Sequence, residues 1–345
     1  MRVGLAVHGW YHPLMNTDTY IISMERALQS VGLTSSRILG HTLPNGTVSQ
    51  LIFPSILRYF MNYGNDKFDI IHDTRGDSVF RNVDVSTIQD LYWNHHKNNF
   101  TDKLIQTPIA IYQNYRRTLK LSRRIIITNS YIKRELVTIF GLKNDNKIRV
   151  IPIPFEYKLD ARKDDIKYDV IWVGTSDRRK QLPVFIECIS NLPKSYKIGI
   201  RATYINRFIS DDIQNINNKI KMLQYNGWNI EMLKFNKLQD SMNNLYASSK
   251  CLVSTSSYEG FHMPVAEAYL RGTHVVIPQN ELYTSIYGTE AEGIHYYTNK
   301  QDIGLKISEA IQYGRFKPDR KIVEYLSFKH VGLLLKEVYE EAMKH

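Results

Sequence analysis

Two carboxylates, Glu259 and Glu267, frame the part of this chain best equipped for chemistry, the stretch STSSYEGFHMPVAEAYLRGTHVV at residues 254–276. Cys251 to Thr255 reads as a short buried strand, and Glu259, Gly260, Phe261, His262 and Met263 as the turn that follows. Pro264 suits the first position of a helix, where its missing N–H costs nothing. That helix is predicted to run to Arg271 and stop at Gly272. The N–H groups of Gly260 to Met263 would then point outward at a helix N-terminus, a ready site for an anion such as a phosphate. Glu259 stands before the helix and Glu267 in its first turn, so both could face one cleft. Each also has a plainer reading. A first-turn Glu is favoured by the helix dipole alone, and a Glu in a turn is commonly just solvated. A second constellation, Asp177-Arg178-Arg179-Lys180, follows the apolar run VIWVG and would otherwise be a solvated turn. No Asp-x-Asp triplet occurs in the chain, so a metal held by paired carboxylates is not expected.

The elements that must position these residues alternate. RVGLAVHG, FDIIHD, VDVSTIQD, RRIIITNS and KIRVIPIPF read as strands of a first series. TDTYIISMERALQSVG, with Thr17 or Asp18 as N-cap and Gly32 as stop, and YIKRELVTIFG read as helices among them. EYKLDARKDDIK lacks apolar periodicity and reads as a linker. A second series begins at YDVIWVGTS and continues through LPVFIECISNL, YKIGIRA, SMNNLYASS, CLVSTSS, PVAEAYLRG and THVVIPQ. Strand–helix alternation predicts α/β units with parallel sheets covered on both faces. Ligands of such sheets bind at the C-terminal ends of strands.

Composition bounds the rest. The chain has 345 residues, 43% hydrophobic and 23% charged, which is ordinary for a globular protein of about two domains. Two cysteines, Cys188 and Cys251, exclude a disulfide scaffold and a multi-cysteine zinc site. No apolar run reaches the roughly 18 residues of a membrane span, and MRVGLAVHG is too short an apolar start for a secretion signal; a cytoplasmic protein is expected. The net charge of +11 favours polyanionic or phosphate-bearing partners without choosing among them.

Glu-Gly-Phe-x-x-Pro-x-x-Glu-Ala, followed by Gly272 and the Val275-Val276 strand, resembles the signature of retaining glycosyltransferases of family 4. SRRIIITNSYIKREL, IRVIPIPFE, VIWVGTSDRRKQLPVFIECI and LQDSMNNLYASSKCLVSTSSYEGF extend the resemblance over essentially the whole chain. It implies the GT-B fold: two Rossmann-like domains with parallel sheets facing across a cleft. Residues 1–157 would form the acceptor domain and 165–325 the nucleotide-sugar donor domain. Residues 326–345 would be a C-terminal helix crossing back to the first. It implies sugar transfer from a nucleotide-diphosphate sugar, UDP- or GDP-linked, to a glycan, lipid or protein acceptor, with no cofactor and no metal. Glu259 would contact hydroxyls of the donor sugar, and Glu267 the ribose diol. Gly260, Phe261, His262, Met263 and Pro264 would form the phosphate turn. Lys180, with Arg179 as its partner, would neutralise the leaving diphosphate.

The chain departs from that pattern in several places. The Arg of the basic pair ordinarily follows the strand Gly directly, where this chain has Thr175. His262-Met263 stands where Gly-Leu is common, and Gly9 stands alone where a Gly-Gly pair is usual. The position of the usual acceptor-side His is occupied by Gln89-Asp90, leaving His72 and Asp90 as acceptor-side candidates. Two other readings compete. A nucleotide-sugar epimerase of the same fold fits the Glu-x7-Glu spacing less well. A nucleic-acid-binding protein would use Arg116, Arg117, Lys120, Arg123 and Arg124, but on a helix these spread over more than one face. That basic run and the apolar LIFPSILRYFMNYG also allow peripheral contact with the inner membrane face.

Overall fold

The computed structural model describes residues 1–7, 16–39, 67–76, 83–91, 108–143, 145–157, 166–203, 210–233 and 239–344. Gly9, the stretch LIFPSILRYFMNYG and most of the linker lie outside the described residues. The chain divides into two compact units. Unit 1 comprises Met1–Phe155 and Glu324–His345, and unit 2 comprises Glu156–Val323.

Unit 1 is built on a six-stranded parallel sheet of β1 (Arg2–Val7), β2 (Thr34–Leu39), β3 (Ile70–Asp73), β4 (Val85–Ile88), β5 (Arg124–Ile127) and β6 (Ile148–Val150). The spatial order is β2-β1-β3-β4-β5-β6. Every residue of β3 and β4 is buried, as expected for central parallel strands covered on both faces. The helices include α1 (Asn16–Ser30), α2 (Pro108–Leu121) and α3 (Ser130–Phe140). The first of them starts at Asn16, so Thr17 and Asp18 lie inside the helix and are not its cap. Asn129 caps α3 by accepting from Ile132 N at 2.9 Å, and Gly141 ends it in the left-handed conformation.

Unit 2 repeats the plan. Its strands are β7 (Tyr168–Thr175), β8 (Lys197–Thr203), β9 (Asn229–Met232), β10 (Ser249–Val253), β11 (His274–Pro278) and β12 (Ile294–Tyr297). They pair in parallel in the order β12-β11-β10-β7-β8-β9. Its helices include α4 (Leu182–Ile189), α5 (Ser210–Tyr225), α6 (Gln239–Ala247), α7 (Met263–Tyr269), α8 (Glu281–Tyr287), α9 (Asp302–Gln312) and α10 (Arg320–Tyr325). The expected strand Cys251–Thr255 is Ser249–Val253, so Ser254 and Thr255 already belong to the turn that follows it.

The chain returns to unit 1 at Glu324 and ends in α11 (Phe328–Met343). Ser327 caps this helix through His330 N at 3.2 Å. Val331, Leu335, Val338, Tyr339 and Ala342 are buried against unit 1. Gly332 lies against the backbone carbonyl of Ala27 on α1, and a Cβ there would overlap that oxygen. Gly332→Ala is therefore expected to force α1 and α11 apart and cost about 1–3 kcal/mol, the usual penalty of overpacking. Urea denaturation measures it; an unchanged midpoint would mean the two helices yield freely.

Candidate active site

The chemistry-bearing residues of unit 2 follow two adjacent strands. β7 and β10 pair in parallel, so the turns after both lie at the same, C-terminal edge of the sheet. After β7, Asp177 accepts from Arg179 N at 3.0 Å and starts a 3-10 turn over Arg178–Lys180. Gln181, at φ 48°, then turns the chain into α4. After β10, Thr255 Oγ1 donates toward the carbonyls of Lys180 and Gln181, at 2.8 and 3.0 Å. Trp172 Nε1 donates to that same hydroxyl at 3.2 Å, and Ser257 N donates to Arg179 O at 2.8 Å. These bonds fix one turn against the other although about eighty residues of chain separate them.

The stitching brings three of the expected residues into one cluster. Glu259 Oε1 accepts from Lys180 Nζ at 2.5 Å and from Ser256 Oγ at 2.6 Å. Its Oε2 accepts from Arg179 Nη1 at 2.7 Å. Glu259 and Lys180 are only 5% and 4% exposed. Burial alone would raise the Glu259 carboxyl, but the charges around it, Lys180 first, hold it well below the usual carboxylate range. Burial pulls the Lys180 ammonium below its ordinary value, and the Glu259 carboxylate opposes that pull. The family resemblance assigns Glu259 to a sugar and Arg179 and Lys180 to a phosphate. In the structure they are each other's counter-ions.

The turn beyond Glu259 is buried through Gly260, Phe261, His262 and Met263. His262 adopts φ 65° and ψ 66°, the left-handed region that favours glycine. Its ring is held by Tyr283 Oη at 2.5 Å and Ser254 Oγ at 3.3 Å from Nδ1. Asn280 caps α8 and so places Tyr283. Pro264 lies at the start of α7, but the helix ends at Tyr269, two residues short of the expected Arg271. Arg271 N bonds instead to Ala268 O and Gly272 N to Tyr269 O, a tightened last turn that Gly272 completes at φ 69°.

Glu267 lies beyond the first turn of α7, not in it as expected, and occupies a different environment. Burial pushes its carboxyl up to about 7, against the opposing pull of Tyr246, Arg271 and Arg201. No sequence signal pointed to Arg201 on β8 or Tyr246 on α6, which only the fold brings to this carboxyl. Beside the β7 turn a cavity of about 650 Å³ is lined by Ser176, Asp177, Arg178, Gln181, Lys219 and Met222, among others. Neither Arg179 nor Lys180 lines it.

In unit 1, His72 is fully buried, and its two ring nitrogens contact Tyr339 Oη and Thr87 Oγ1, each at 2.8 Å. Tyr20 donates to the same Thr87 hydroxyl at 3.1 Å. Burial lowers the His72 pKa to about 4, so it is a neutral tie of α1 and α11 to β3 and β4. Asp90 follows β4, and its carbonyl accepts from Tyr115 Oη at 3.3 Å. Of the basic run, Arg123 pairs with Asp84 and Arg124 with Glu341, while Arg116, Arg117 and Lys120 are exposed on α2. Among the described residues no three His, Cys, Asp or Glu are grouped to hold a metal ion.

Comparison with known proteins places this arrangement. No curated protein sequence matches the chain. Among solved structures, the chain is similar to sucrose-phosphate synthase from Thermosynechococcus elongatus, with TM-score 0.73 and 16% identity over 98% of each chain. It is similar to HepE from Anabaena, solved with UDP and glucose, with TM-score 0.66 and 12% identity over 100% of this chain and 98% of that one. WaaG, a glycosyltransferase involved in lipopolysaccharide biosynthesis, aligns with TM-score 0.63 and 12% identity over 99% and 98%. These likenesses show the fold, two parallel-sheet α/β domains of the GT-B type. Residues 156–326, which include the whole of unit 2 and its Glu259 cluster, match the family model of glycosyl transferases group 1, a match that supports a glycosyltransferase built on the GT-B fold.

Proposed function

We propose that this protein transfers a sugar, with retention of anomeric configuration, from a UDP- or GDP-sugar to a glycan, lipid or protein acceptor, without a metal. The observation that carries the reading is the buried Glu259–Arg179–Lys180 cluster at the C-terminal edge of a parallel sheet, where such folds bind nucleotides. The neighbour HepE was also solved with UDP-glucose. Arg179 and Lys180 would stabilise the charge that grows on the leaving diphosphate. Glu259 would accept from hydroxyls of the donor sugar, and Glu267 from the ribose diol, because a carboxylate offers about four acceptor positions on its two oxygens. Displacement would occur on one face of the sugar through an oxocarbenium-like transition state, with the leaving diphosphate taking the acceptor proton. A lipid-linked acceptor would bring the chain to a membrane surface as a peripheral protein, since no described helix is long and apolar enough to cross one.

A nucleotide-release screen over UDP-, GDP- and ADP-sugars tests the reading. One series is expected to turn over, and its free nucleotide to raise the melting temperature. No release and no thermal shift with any of them would overturn it. Turnover is expected to persist in excess EDTA; loss restored by Mg²⁺ or Mn²⁺ would overturn metal independence.

Glu267 supplies a pH signature. Its folded pKa, about 7, lies above the ordinary 4.5. Its contribution to stability is therefore complete below pH 4.5 and is lost as pH rises through about 7. Ribose binding by the charged form runs the other way, so donor affinity is expected to rise with pH through that range. Glu267→Gln should flatten both profiles and raise donor KM about tenfold, the worth of one charge-assisted hydrogen bond. An unchanged donor KM would remove Glu267 from the ribose.

A further inference from the structure

His262 is bent into a backbone conformation that a glycine adopts freely and a histidine does not. An outlier of this kind invites the question of what the side chain does in return. Its ring is buried, at 5% exposure, between two hydroxyls and a carboxylate. Tyr283 Oη at 2.5 Å and Ser254 Oγ at 3.3 Å converge on Nδ1, and both can donate to it. The Glu259 carboxylate faces the other nitrogen and favours the proton there, which leaves Nδ1 to accept. With Nδ1 accepting, a neutral imidazole carries its proton on Nε2. Burial lowers the His262 pKa to about 3, which keeps the ring neutral at working pH.

Nε2 faces Glu259 Oε1 at 3.9 Å. That is too long for a direct hydrogen bond. It is the span closed by one oxygen that accepts from Nε2–H and donates to the carboxylate, at about 2.8 Å from each. Water or a substrate hydroxyl has the required donor and acceptor; a phosphate oxygen does not, because it cannot donate to Glu259. Ser256 and Lys180 hold Oε1 and Arg179 holds Oε2, so the carboxylate side of the gap is as fixed as the imidazole side.

We infer that His262 is a specificity-determining residue: its Nε2–H and Glu259 Oε1 together read one hydroxyl of the transferred sugar, with Tyr283 and Ser254 as positioning residues that lock the tautomer. The inference rests on the proposed transfer from a nucleotide sugar. The site gives glycine's backbone freedom away at residue 262 for a second contact on a hydroxyl that Glu259 alone would otherwise hold.

The test uses the full chain. UDP-glucose, UDP-galactose and GDP-mannose first select the donor series, and the monodeoxy analogues of the best donor then report each hydroxyl separately. In the unaltered protein one analogue is expected to lose at least about tenfold more kcat/KM than the others, the worth of one good hydrogen bond. His262→Gly relaxes the backbone but empties the space of a buried ring, so a lower melting temperature is expected, and in the folded protein the gap between that analogue and the others should close. His262→Asn, which tolerates the left-handed backbone and keeps an N–H, should restore part of the gap. Tyr283→Phe should narrow it as well, and in ¹⁵N-histidine NMR it should abolish the single Nε2–H tautomer of His262, a change that loss of packing alone would not produce. An active His262→Gly protein whose deoxy preferences match those of the unaltered chain overturns this inference and leaves the transfer reading standing. A protein that neither binds nor cleaves any nucleotide sugar overturns both.

Discussion

Lys180→Ala is expected to lower kcat about a hundredfold, the typical loss when one stabilising donor is removed from a developing anion. In the proposed transfer the diphosphate would gain charge as the sugar–oxygen bond breaks, so the loss should fall on kcat and not only on donor affinity. The same substitution removes the partner 2.5 Å from Glu259 Oε1. Stripping one member from a buried ion pair typically costs about 3–5 kcal/mol, because the other charge stays buried. Arg179 still holds Oε2, which should keep the cost near the lower end. The structural and the chemical losses can be separated. Adding Glu259→Gln to Lys180→Ala removes the half-compensated carboxylate and leaves Arg179 paired with Asp177, so stability should recover in part while turnover does not. Arg179→Ala should cut kcat comparably with less loss of stability, since that side chain is less buried than Lys180 and also pairs with Asp177. The pH dependence has a definite sign. The Glu259 carboxyl is depressed in the folded protein, so its stabilisation is present above pH 4.5 and is lost as pH falls through its folded value. Lys180→Ala should shift the onset of acid unfolding accordingly. A folded Lys180→Ala protein with kcat within about threefold of the original would remove this loop from the chemistry.

The strands that show in the sequence are those with apolar residues buried on both faces. RVGLAV and RIII carry apolar runs behind a leading arginine, and IIHD an apolar pair, because both faces of a central parallel strand are covered. β2 (TSSRIL) and β9 (NIEM) lie at the outer ends of their sheets and carry polar residues at their exposed positions. They were not legible, because an edge strand is defined by its neighbour more than by its own pattern. The site divides in the same way. Glu259, Lys180 and Glu267 could be picked out because each lies in a contiguous motif that carries the family resemblance; spacing alone left each with a plainer reading. Ser256 is local too, but a serine in a Ser-rich turn carries no signal of its own. Tyr283, Arg201 and Tyr246 reach the site only through tertiary packing, and no spacing rule connects them. The mutual pairing of Glu259 with Arg179 and Lys180 crosses about eighty residues. A sequence reading can assign each of those charges to a ligand but has no means of finding that they neutralise one another. His72 shows the converse. The family resemblance left His72 as an acceptor-side candidate, and the fold surrounds it with Thr87 of the neighbouring strand and with Tyr339, 267 residues further on.

Deleting residues 328–345 is expected to unfold unit 1 and spare unit 2. The helix α11 is the only segment after unit 2 that buries a full face in unit 1 among the described residues. Val331, Leu335, Val338 and Tyr339 are at most 3% exposed. Burying a side chain of this size is worth about 1.5–3 kcal/mol, so four of them supply about 6–12 kcal/mol. A whole domain is stable by only about 5–15 kcal/mol. The polar losses add to this. His72 Nδ1 loses Tyr339, and Arg124 and Arg149 lose the Glu341 carboxylate they share. Unit 2 has its own sheet and core and takes no strand from this segment. Limited proteolysis should therefore digest unit 1 of the truncated protein and leave a fragment close to residues 156–323, the extent of unit 2. The thermal shift produced by the free nucleotide should survive in that fragment, and transfer to an acceptor should be lost. Tyr339→Phe is the graded companion: it keeps the ring and removes one hydroxyl, and should cost about 1–3 kcal/mol by leaving a buried imidazole nitrogen unsatisfied. A truncated protein whose unit 1 resists protease as the full chain does would show that β1 to β6 hold their fold without the returning helix.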